Sequence, residues 1–221
     1  MQEKFPTEWK KAKVIPLHKK EDILEPKNYR PVSILSPLSK VLERVIHDQL
    51  YHYLSVNKII HPSLHAYRKN RSTLTALLQM YEKWVKAASD GKISSAVFVD
   101  LSAAFDIVPS DILLKKLKIY GLDSSFQHWI KDYLSGRFQA VWIDHCYSTY
   151  LPCDFGVPQG SILGPLIFLI FVNDLAYHLK CPIEQYADDT TLSSSSKDIG
   201  TLSQELTEDC NTLSNWMAQC R

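Results

Sequence analysis

Two adjacent carboxylates follow a short apolar segment in Tyr186-Ala187-Asp188-Asp189. A turn that carries such a pair concentrates negative charge in a small volume, which is costly unless a divalent cation or a proton neutralises it. Upstream, the apolar segment 96–99 leads directly into Asp100. If the two strands are neighbours, three carboxylates meet at one end of a sheet. They can then hold two Mg²⁺ ions roughly 3.5–4 Å apart, the arrangement used for in-line phosphoryl transfer.

These residues also have a purely structural interpretation. Asp100 could cap the end of a strand, and Asp188-Asp189 could belong to an ordinary hairpin turn, because Asp is common in turns. A four-residue motif of this kind is only moderately specific by itself. The choice between a metal site and a plain turn therefore depends on the sequence around them.

Hydrophobic periodicity and turn residues predict the elements that position these acids. Extended segments or strands are predicted at 12–17, 29–35, 93–100, 137–143, 147–152, 181–187 and 190–194. Helices are predicted at 38–54, 72–88, 110–120, 123–135, 161–178 and 198–219, and Ser72 is the expected N-cap of the second. Strands separated by helices, with acids at strand ends, predict an α+β fold with helices packed on one face of a sheet.

Composition limits the class of protein. The 221 residues are 45% hydrophobic and 22% charged, which is typical of a globular protein with one or two domains. The longest apolar run, 162–172, contains Gly164 and Pro165 and is too short to span a bilayer, so a buried helix is expected there. The five cysteines show no CxxC spacing, which favours free thiols over disulfides or a zinc site. No secretory signal opens the sequence, so we do not expect a secreted protein.

Charge is unevenly distributed along the chain. Residues 1–70 contain 13 Lys and Arg against 7 Asp and Glu, whereas residues 71–221 contain 12 against 17. A basic part that grips phosphates beside an acidic part that binds metal would suit a nucleotide-polymerising enzyme. An uneven scatter of surface charge would produce the same numbers, so both interpretations remain open.

Six motifs, in order along nearly the whole chain, resemble those of the reverse transcriptase domain of non-LTR (LINE-type) retrotransposons. They lie at 9–20, 28–33, 66–73, 99–106, 156–165 and 186–189, and read WKKAKVIPLHKK, NYRPVS, AYRKNRST, VDLSAAFD, GVPQGSILGP and YADD. The resemblance implies the polymerase right hand, with a fingers-like region at 1–92 and a palm-like region at 93–221. The palm sheet is then antiparallel, with helices packed on one face. The thumb and endonuclease segments of the parent polyprotein are expected to be missing from these 221 residues.

The resemblance also implies a metal site. Asp100, Asp188 and Asp189 are the expected catalytic acids, and the backbone carbonyl of Leu101 is expected to complete a coordination shell. The cofactor is then two Mg²⁺ ions, with Mn²⁺ as a substitute. One ion lowers the pKa of the primer 3′-hydroxyl, and the other steadies the triphosphate and the leaving pyrophosphate. Asp106 is expected to form local hydrogen bonds instead.

Nucleotide binding is implied for a second set of residues. By resemblance, the ring of Phe105 excludes a ribose 2′-hydroxyl, Gln159 touches the incoming nucleotide, and Gly160 allows close stacking. The cations expected to hold the triphosphate are Lys19, Lys20 and Arg30, without a choice between the lysines. Simple core packing remains the alternative for Phe105. A solvated charged turn remains the alternative for the cations.

Template contacts are expected from Tyr67, Arg68, Lys69 and Arg71, where basic side chains flank an aromatic ring before a helix. His61 and His65 are four residues apart, but Pro62 prevents the helix that would align them on a metal. Capping or surface roles are therefore expected for both histidines.

The predicted function is RNA-directed DNA polymerisation, in which dNTPs extend a DNA primer on an RNA template. The alternatives are an inactive fragment that retains only RNA or template binding, and a DNA-templated polymerase, which the wording of the motifs disfavours. The expected partners are an RNA template, a DNA primer and dNTPs, without a membrane. By family analogy the location is the nucleus or the cytoplasm.

Overall fold

The computed structural model describes residues 4–101, 105, 108–153 and 155–219. Within them the strands are β1 Lys11–His18, β2 Tyr29–Ile34, β3 Ile93–Asp100, β4 Arg137–Ile143, β5 Cys146–Tyr147, β6 Leu151–Cys153, β7 Ile183–Tyr186 and β8 Asp189–Ser196. The α-helices are α1 Pro37–Val56, α2 Thr73–Ser89, α3 Ser110–Ile119, α4 Ser124–Leu134, α5 Gly164–Val172, α6 Leu175–His178 and α7 Ile199–Gln219. The predicted α+β class is confirmed.

The chain folds into two compact units. The first combines Met1–Tyr53 with Phe105–Phe168, and the second combines Leu54–Ala104 with Leu169–Arg221. Each unit therefore draws on two separate stretches of sequence. The division into fingers-like and palm-like regions at residues 92 and 93 stays a prediction.

The first unit contains a sheet in which the order is β2-β1-β4-β5, with β6 also paired to β4. Strands β1 and β2 are antiparallel, whereas β1 and β4 are parallel, with Lys11 opposite Phe138. Helices α3 and α4 pack against each other. Buried apolar side chains form the core of this unit: Ala12, Val14, Leu113, Leu117, Ile130, Tyr133, Ala140, Val157, Leu163 and Phe168.

The second unit contains an antiparallel sheet of order β3-β8-β7. Eight residue pairs join β3 to β8, from Ile93–Ser196 to Asp100–Asp189. Helix α2 contacts all of these strands, and α7 contacts β3 and β8. The predicted N-cap of α2 is confirmed, because the Ser72 hydroxyl accepts the Thr75 N–H in a capping box. The buried side of α7 carries Leu202, Leu206, Leu213 and Trp216.

The long helix predicted at 161–178 is wrong at its start and in its middle. It begins only at Gly164, after a turn in which the Ser161 N–H donates to the Pro158 carbonyl and the Ser161 hydroxyl accepts the Gly164 N–H at 2.9 Å. It is interrupted after Val172, where the Asn173 amide bonds the backbone of a neighbouring loop: Oδ1 accepts His61 N–H and Nδ2 donates to Ile59 O. The prediction of a buried apolar segment is confirmed, since residues 163 and 166–172 are all nearly fully buried.

Among the helices of the described residues, none combines the length and the apolar character needed to cross a bilayer. The four cysteines within these residues, Cys146, Cys153, Cys181 and Cys210, carry free thiols. Burial and a hydrogen bond to Asp209 raise the pKa of Cys181 to about 12. This thiol is therefore protonated at neutral pH and unreactive as a nucleophile.

Candidate active site

The three predicted acids lie together at one end of the β3-β8-β7 sheet. Asp100, the last residue of β3, is directly opposite Asp189, the first residue of β8. One step further, the Leu101 N–H donates to the Asp188 carbonyl at 2.9 Å. Directly opposed residues of an antiparallel pair project on the same face. Asp100 and Asp189 are exposed and Asp188 is half-buried, so all are accessible to a ligand.

A tight hairpin presents Asp188. Tyr186 pairs with Asp189, so Ala187 and Asp188 form the connection between β7 and β8. Ala187 has φ +56°, in the left-handed region that two-residue hairpins require and that Ala rarely adopts. Such a conformation costs about 1–3 kcal/mol and is concentrated at functional sites. This observation favours a functional turn over an ordinary one.

The side chains at this sheet end are adjacent without forming a closed metal cage. Within the described residues, no three His, Cys, Asp or Glu side chains are gathered into a group that could hold an ion. The donor chemistry nevertheless fits Mg²⁺, because carboxylate and carbonyl oxygens are its preferred protein ligands. Asp100, Leu101, Asp188 and Asp189 therefore stay predicted ligands, brought to one sheet end by the backbone pairing.

A cavity of about 410 Å³ lies beside the acids within the second unit. Its walls come from α2 and from the ends of the strands, and they include Met80, Phe98, Asp100, Tyr186 and Asp189. The volume is in the range of small-molecule sites, and the lining is mostly apolar with a few polar groups. Open space of molecular size therefore borders two of the three predicted catalytic acids, Asp100 and Asp189.

Strand β7, which leads into the hairpin, is held by a buried charged network that sequence reasoning missed. Glu184 accepts hydrogen bonds from Lys83 Nζ at 2.6 Å and from His65 Nε2 at 2.9 Å. His65 Nδ1 lies 3.0 Å from Thr75 Oγ1, and the His65 backbone N–H donates to Gln185 O. The surface role expected for His65 is wrong, because its side chain is fully buried. The only signal in the sequence was the carboxylate of Glu184 within a predicted strand.

The first unit contains the residues predicted to bind the nucleotide. The ring of Phe105 stacks on the buried Phe168 ring, with centroids 4.0 Å apart, and the Phe105 carbonyl accepts the Val157 N–H. The Gly-rich loop 156–160 continues against β2, where the Ser33 N–H donates to the Gln159 carbonyl at 2.9 Å. Backbone hydrogen bonds therefore join Phe105 and β2 to the same loop, which carries Gln159 and Gly160.

Gly160 occupies a position that no other residue fits. Its φ is +106°, and a Cβ added there would lie 2.5 Å from the Ser33 carbonyl oxygen, a backbone atom that cannot rotate away. Gly160→Ala is expected to lower the free energy of unfolding by about 1–3 kcal/mol, from strain and the displaced β2 contact. Urea unfolding of the 221-residue chain measures this.

Gly136→Ala is the matched control, because Gly136 lies in the same unit at φ +61° and faces open space. An alanine at position 136 has the cost of a left-handed backbone conformation, about 1 kcal/mol, but its Cβ meets no neighbouring atom. Equal losses for the two variants would contradict the importance of the Ser33 contact.

The predicted triphosphate cations lie on the β1–β2 hairpin of the first unit. Arg30 is on β2 opposite Leu17, and Lys19 follows β1, where its N–H donates to the Asn28 carbonyl. All three cations are exposed, and Lys20 lies 3.8 Å from Glu21. The hairpin thus brings the three cations to one part of the unit. Their binding to a triphosphate stays a prediction.

The predicted template residues lie between residue 66 and α2 in the second unit. Tyr67 and Lys69 are exposed, and Tyr67 has φ +57°. Arg68 donates from Nη1 to the carbonyls of His61 and Leu64, so part of its guanidinium orders this loop. Arg71 is half-buried just before the helix. Template binding by these four residues stays a prediction.

Acids at an antiparallel sheet end, beside a tight hairpin, are the arrangement predicted for a polymerase palm. The family model described as "Reverse transcriptase (RNA-dependent DNA polymerase)" matches residues 17–221. The chain therefore belongs to the reverse transcriptase family, and the predicted kinship with non-LTR retrotransposon polymerases is confirmed.

Two relatives from Drosophila melanogaster illustrate this kinship. The chain is 34% identical to the probable RNA-directed DNA polymerase from transposon BS and 30% identical to the RNA-directed DNA polymerase from mobile element jockey. In both comparisons 96% of the chain is covered. It spans 24% of the length of each relative.

Solved telomerase structures share the fold. The apo telomerase of Candida tropicalis, truncated from its C-terminal domain, has a TM-score of 0.64 over 91% of the chain and 46% of its own length. The Candida albicans telomerase in complex with a telomeric RNA fragment has a TM-score of 0.63 over 98% of the chain and 41% of its own length. Identities of 10% and 12% limit this likeness to the fold.

Proposed function

We propose that this domain carries out RNA-directed DNA polymerisation for a longer retrotransposon polypeptide, extending a DNA 3′ end on an RNA template with dNTPs. The carrying observation is the pairing of β3 with β8, which sets Asp100 opposite Asp189 and beside Asp188 in a member of the reverse transcriptase family. Accessible carboxylates at the end of a rigid sheet suit phosphoryl transfer.

Divalent metal ions are the general cofactor of this family, and we propose two Mg²⁺ ions here. Asp100 and Asp188 would be the principal ligands, with Asp189 and the Leu101 carbonyl contributing further oxygens. When bound, such ions lower the pKa of a 3′-hydroxyl and stabilise charge on the leaving pyrophosphate. The role of the chain is to hold four oxygen donors at one sheet end through main-chain pairing.

We propose separate roles for the remaining predicted residues. Phe105 discriminates against ribonucleotides, and Gln159 with Gly160 contacts the incoming nucleotide. Lys19, Lys20 and Arg30 provide positive charge for the triphosphate, with Arg30 the best suited to bidentate contacts. The segment Tyr67 to Arg71 contacts the template. The family relationship and the exposure of Arg30, Lys19 and Lys20 support these assignments.

Primer extension tests the proposed function. The chain is incubated with an RNA template, an annealed DNA primer, dNTPs and Mg²⁺, in parallel with a DNA template of identical sequence. The expected result is extension on RNA that stops when a chelator removes the metal. Folded protein that binds the primer–template without extending it would contradict the proposal and indicate a binding-only domain.

Phe105→Ala is expected to lower discrimination between dNTP and rNTP about tenfold or more, because removal of the ring opens space for a 2′-hydroxyl. The measurement is the ratio of kcat/KM for the two substrates, which does not depend on the fraction of active protein. Phe126→Ala, on α4 of the same unit, is the control and should leave the ratio unchanged. An unchanged ratio in Phe105→Ala would show that the Phe105 ring serves only to pack the core.

A further inference from the structure

Glu43 on α1 is a buried carboxylate to which the proposed polymerase chemistry gives no role. Its side chain is fully buried, and so is that of Ser39 one turn earlier. The Ser39 hydroxyl donates to Oε1 at 2.7 Å, and the backbone N–H of Ile162 donates to Oε2 at 2.7 Å. Burying a carboxylate is costly unless its oxygens are hydrogen-bonded. Its partners therefore indicate what Glu43 does.

The important partner is Ile162, which lies where the Gly-rich loop passes into α5. It is two residues beyond Gly160. On the other side of the loop, the Ser33 N–H holds the Gln159 carbonyl at 2.9 Å. Gly160 lies so close to Ser33 that no Cβ fits. Glu43 and Ser33 thus hold the segment 159–162 from two sides, all within the first unit.

The carboxylate of Glu43 lies in surroundings from which water is excluded. Burial, and after it the negative charge of Glu43, raise the pKa of Tyr133 well above its usual range, while the Arg137 cation opposes the shift. The Tyr133 side chain is fully buried, and Arg137 Nη1 donates to its carbonyl at 2.9 Å. Hydrogen bonds to a charged acceptor in such surroundings are stronger than exposed ones. The Ile162 amide is therefore firmly held.

We propose that Glu43 is a positioning residue for nucleotide binding, holding the Gln159–Gly160 loop against β2 through the Ile162 amide. This inference rests on the proposed polymerase function. Because Glu43 contacts the loop rather than the reacting atoms, it preorganises a binding surface and leaves the chemical step alone. Its loss therefore weakens dNTP binding more than it slows incorporation.

The test compares graded variants in the full 221-residue chain. Glu43→Gln keeps the size but removes the charge, so the Ile162 N–H keeps at best a neutral acceptor oxygen, while the Ser39 hydroxyl can turn to accept from the new amide group. We expect KM for dNTP to rise about tenfold with kcat changed less than about threefold, from the loss of one charge-assisted hydrogen bond. Hydrogen exchange of the Ile162 amide should accelerate. Ser39→Ala keeps the Ile162 bond and should raise KM less.

Asp48→Asn is the matched control, because Asp48 is exposed on the same helix and the variant removes the same charge. It should leave KM and Ile162 exchange unchanged. An unaltered KM in active Glu43→Gln would overturn the inference, and so would a fall in kcat alone, which indicates general destabilisation. If the wild-type chain incorporates nothing, the proposed function fails. In that case the role of Glu43 is tested by measuring dNTP binding at equilibrium. Equal dissociation constants for wild type and Glu43→Gln would overturn the inference.

Discussion

Asp188→Asn is expected to reduce nucleotide incorporation at least about a thousandfold, since one proposed ligand to the proposed Mg²⁺ ions loses its charge. This factor corresponds to about 4 kcal/mol, within the several kcal/mol that bound ions contribute to a transition state. The fold should be preserved. Asp188 lies in a two-residue connection where Asn is equally acceptable, and its structural contact is a carbonyl that accepts the Leu101 N–H. Single-nucleotide primer extension measures the rate.

Two further variants make the result specific. Asp100→Asn should cause a similar loss, and the double variant should be little worse than either single one, because residues that act as a unit are not additive. Asp90→Asn removes an exposed carboxylate after α2 of the same unit and should retain full activity. More than about a tenth of wild-type activity in folded Asp188→Asn would contradict the proposed metal site.

Local patterns predicted most elements of this fold because their causes are local. The apolar run 96–99 of β3 and the apolar spacing of α2 are visible within a few residues, as is the Ser72 capping box. Predicting that Asp100 lies near Asp188 required one assumption, namely that β3 and β8 are neighbouring strands. The structure shows this pairing over the whole of β3.

The features that could not be predicted depend on distant partners. Glu43 bonds Ile162 and His65 bonds Glu184, each across 119 residues, and no local pattern indicates either pair. The parallel pairing of β1 with β4 joins similarly distant segments and interleaves the two compact units along the chain. The start of α5 at Gly164 was also missed, because the apolar run begins two residues earlier, at Ile162.

The same kind of long-range contact supports the hairpin that presents Asp188. Glu184 lies two residues before Tyr186 on β7, and its oxygens bond Lys83 of α2 and His65 of the preceding loop. A buried carboxylate with two basic partners fixes a strand more specifically than apolar packing, since its hydrogen bonds have direction. Removing the carboxylate leaves the fully buried His65 ring without this partner. Removing one partner of a buried ion pair lowers the free energy of unfolding by more than the intact pair contributes to it, because the other partner stays buried without its counterpart.

Glu184→Ala is therefore expected to lower the free energy of unfolding by about 3–5 kcal/mol, measured by urea denaturation. Glu184→Gln keeps the shape and one acceptor and should cost less. Lys83→Met should cost least, because the Lys83 side chain is 39% exposed and solvent screens its charge. Glu82→Ala, exposed on the same helix as Lys83, should stay within about 0.5 kcal/mol of wild type.

The order of these losses separates an electrostatic network from simple packing. If the charges matter, Glu184→Gln falls between Glu184→Ala and wild type, and its effect depends on whether Lys83 is present, because neighbouring residues are not additive. A Glu184→Ala loss no larger than that of Glu82→Ala would show that β7 is held by its strand pairing with β8 alone. The hairpin carrying Asp188 would then owe its position to the sheet rather than to the buried charges behind it.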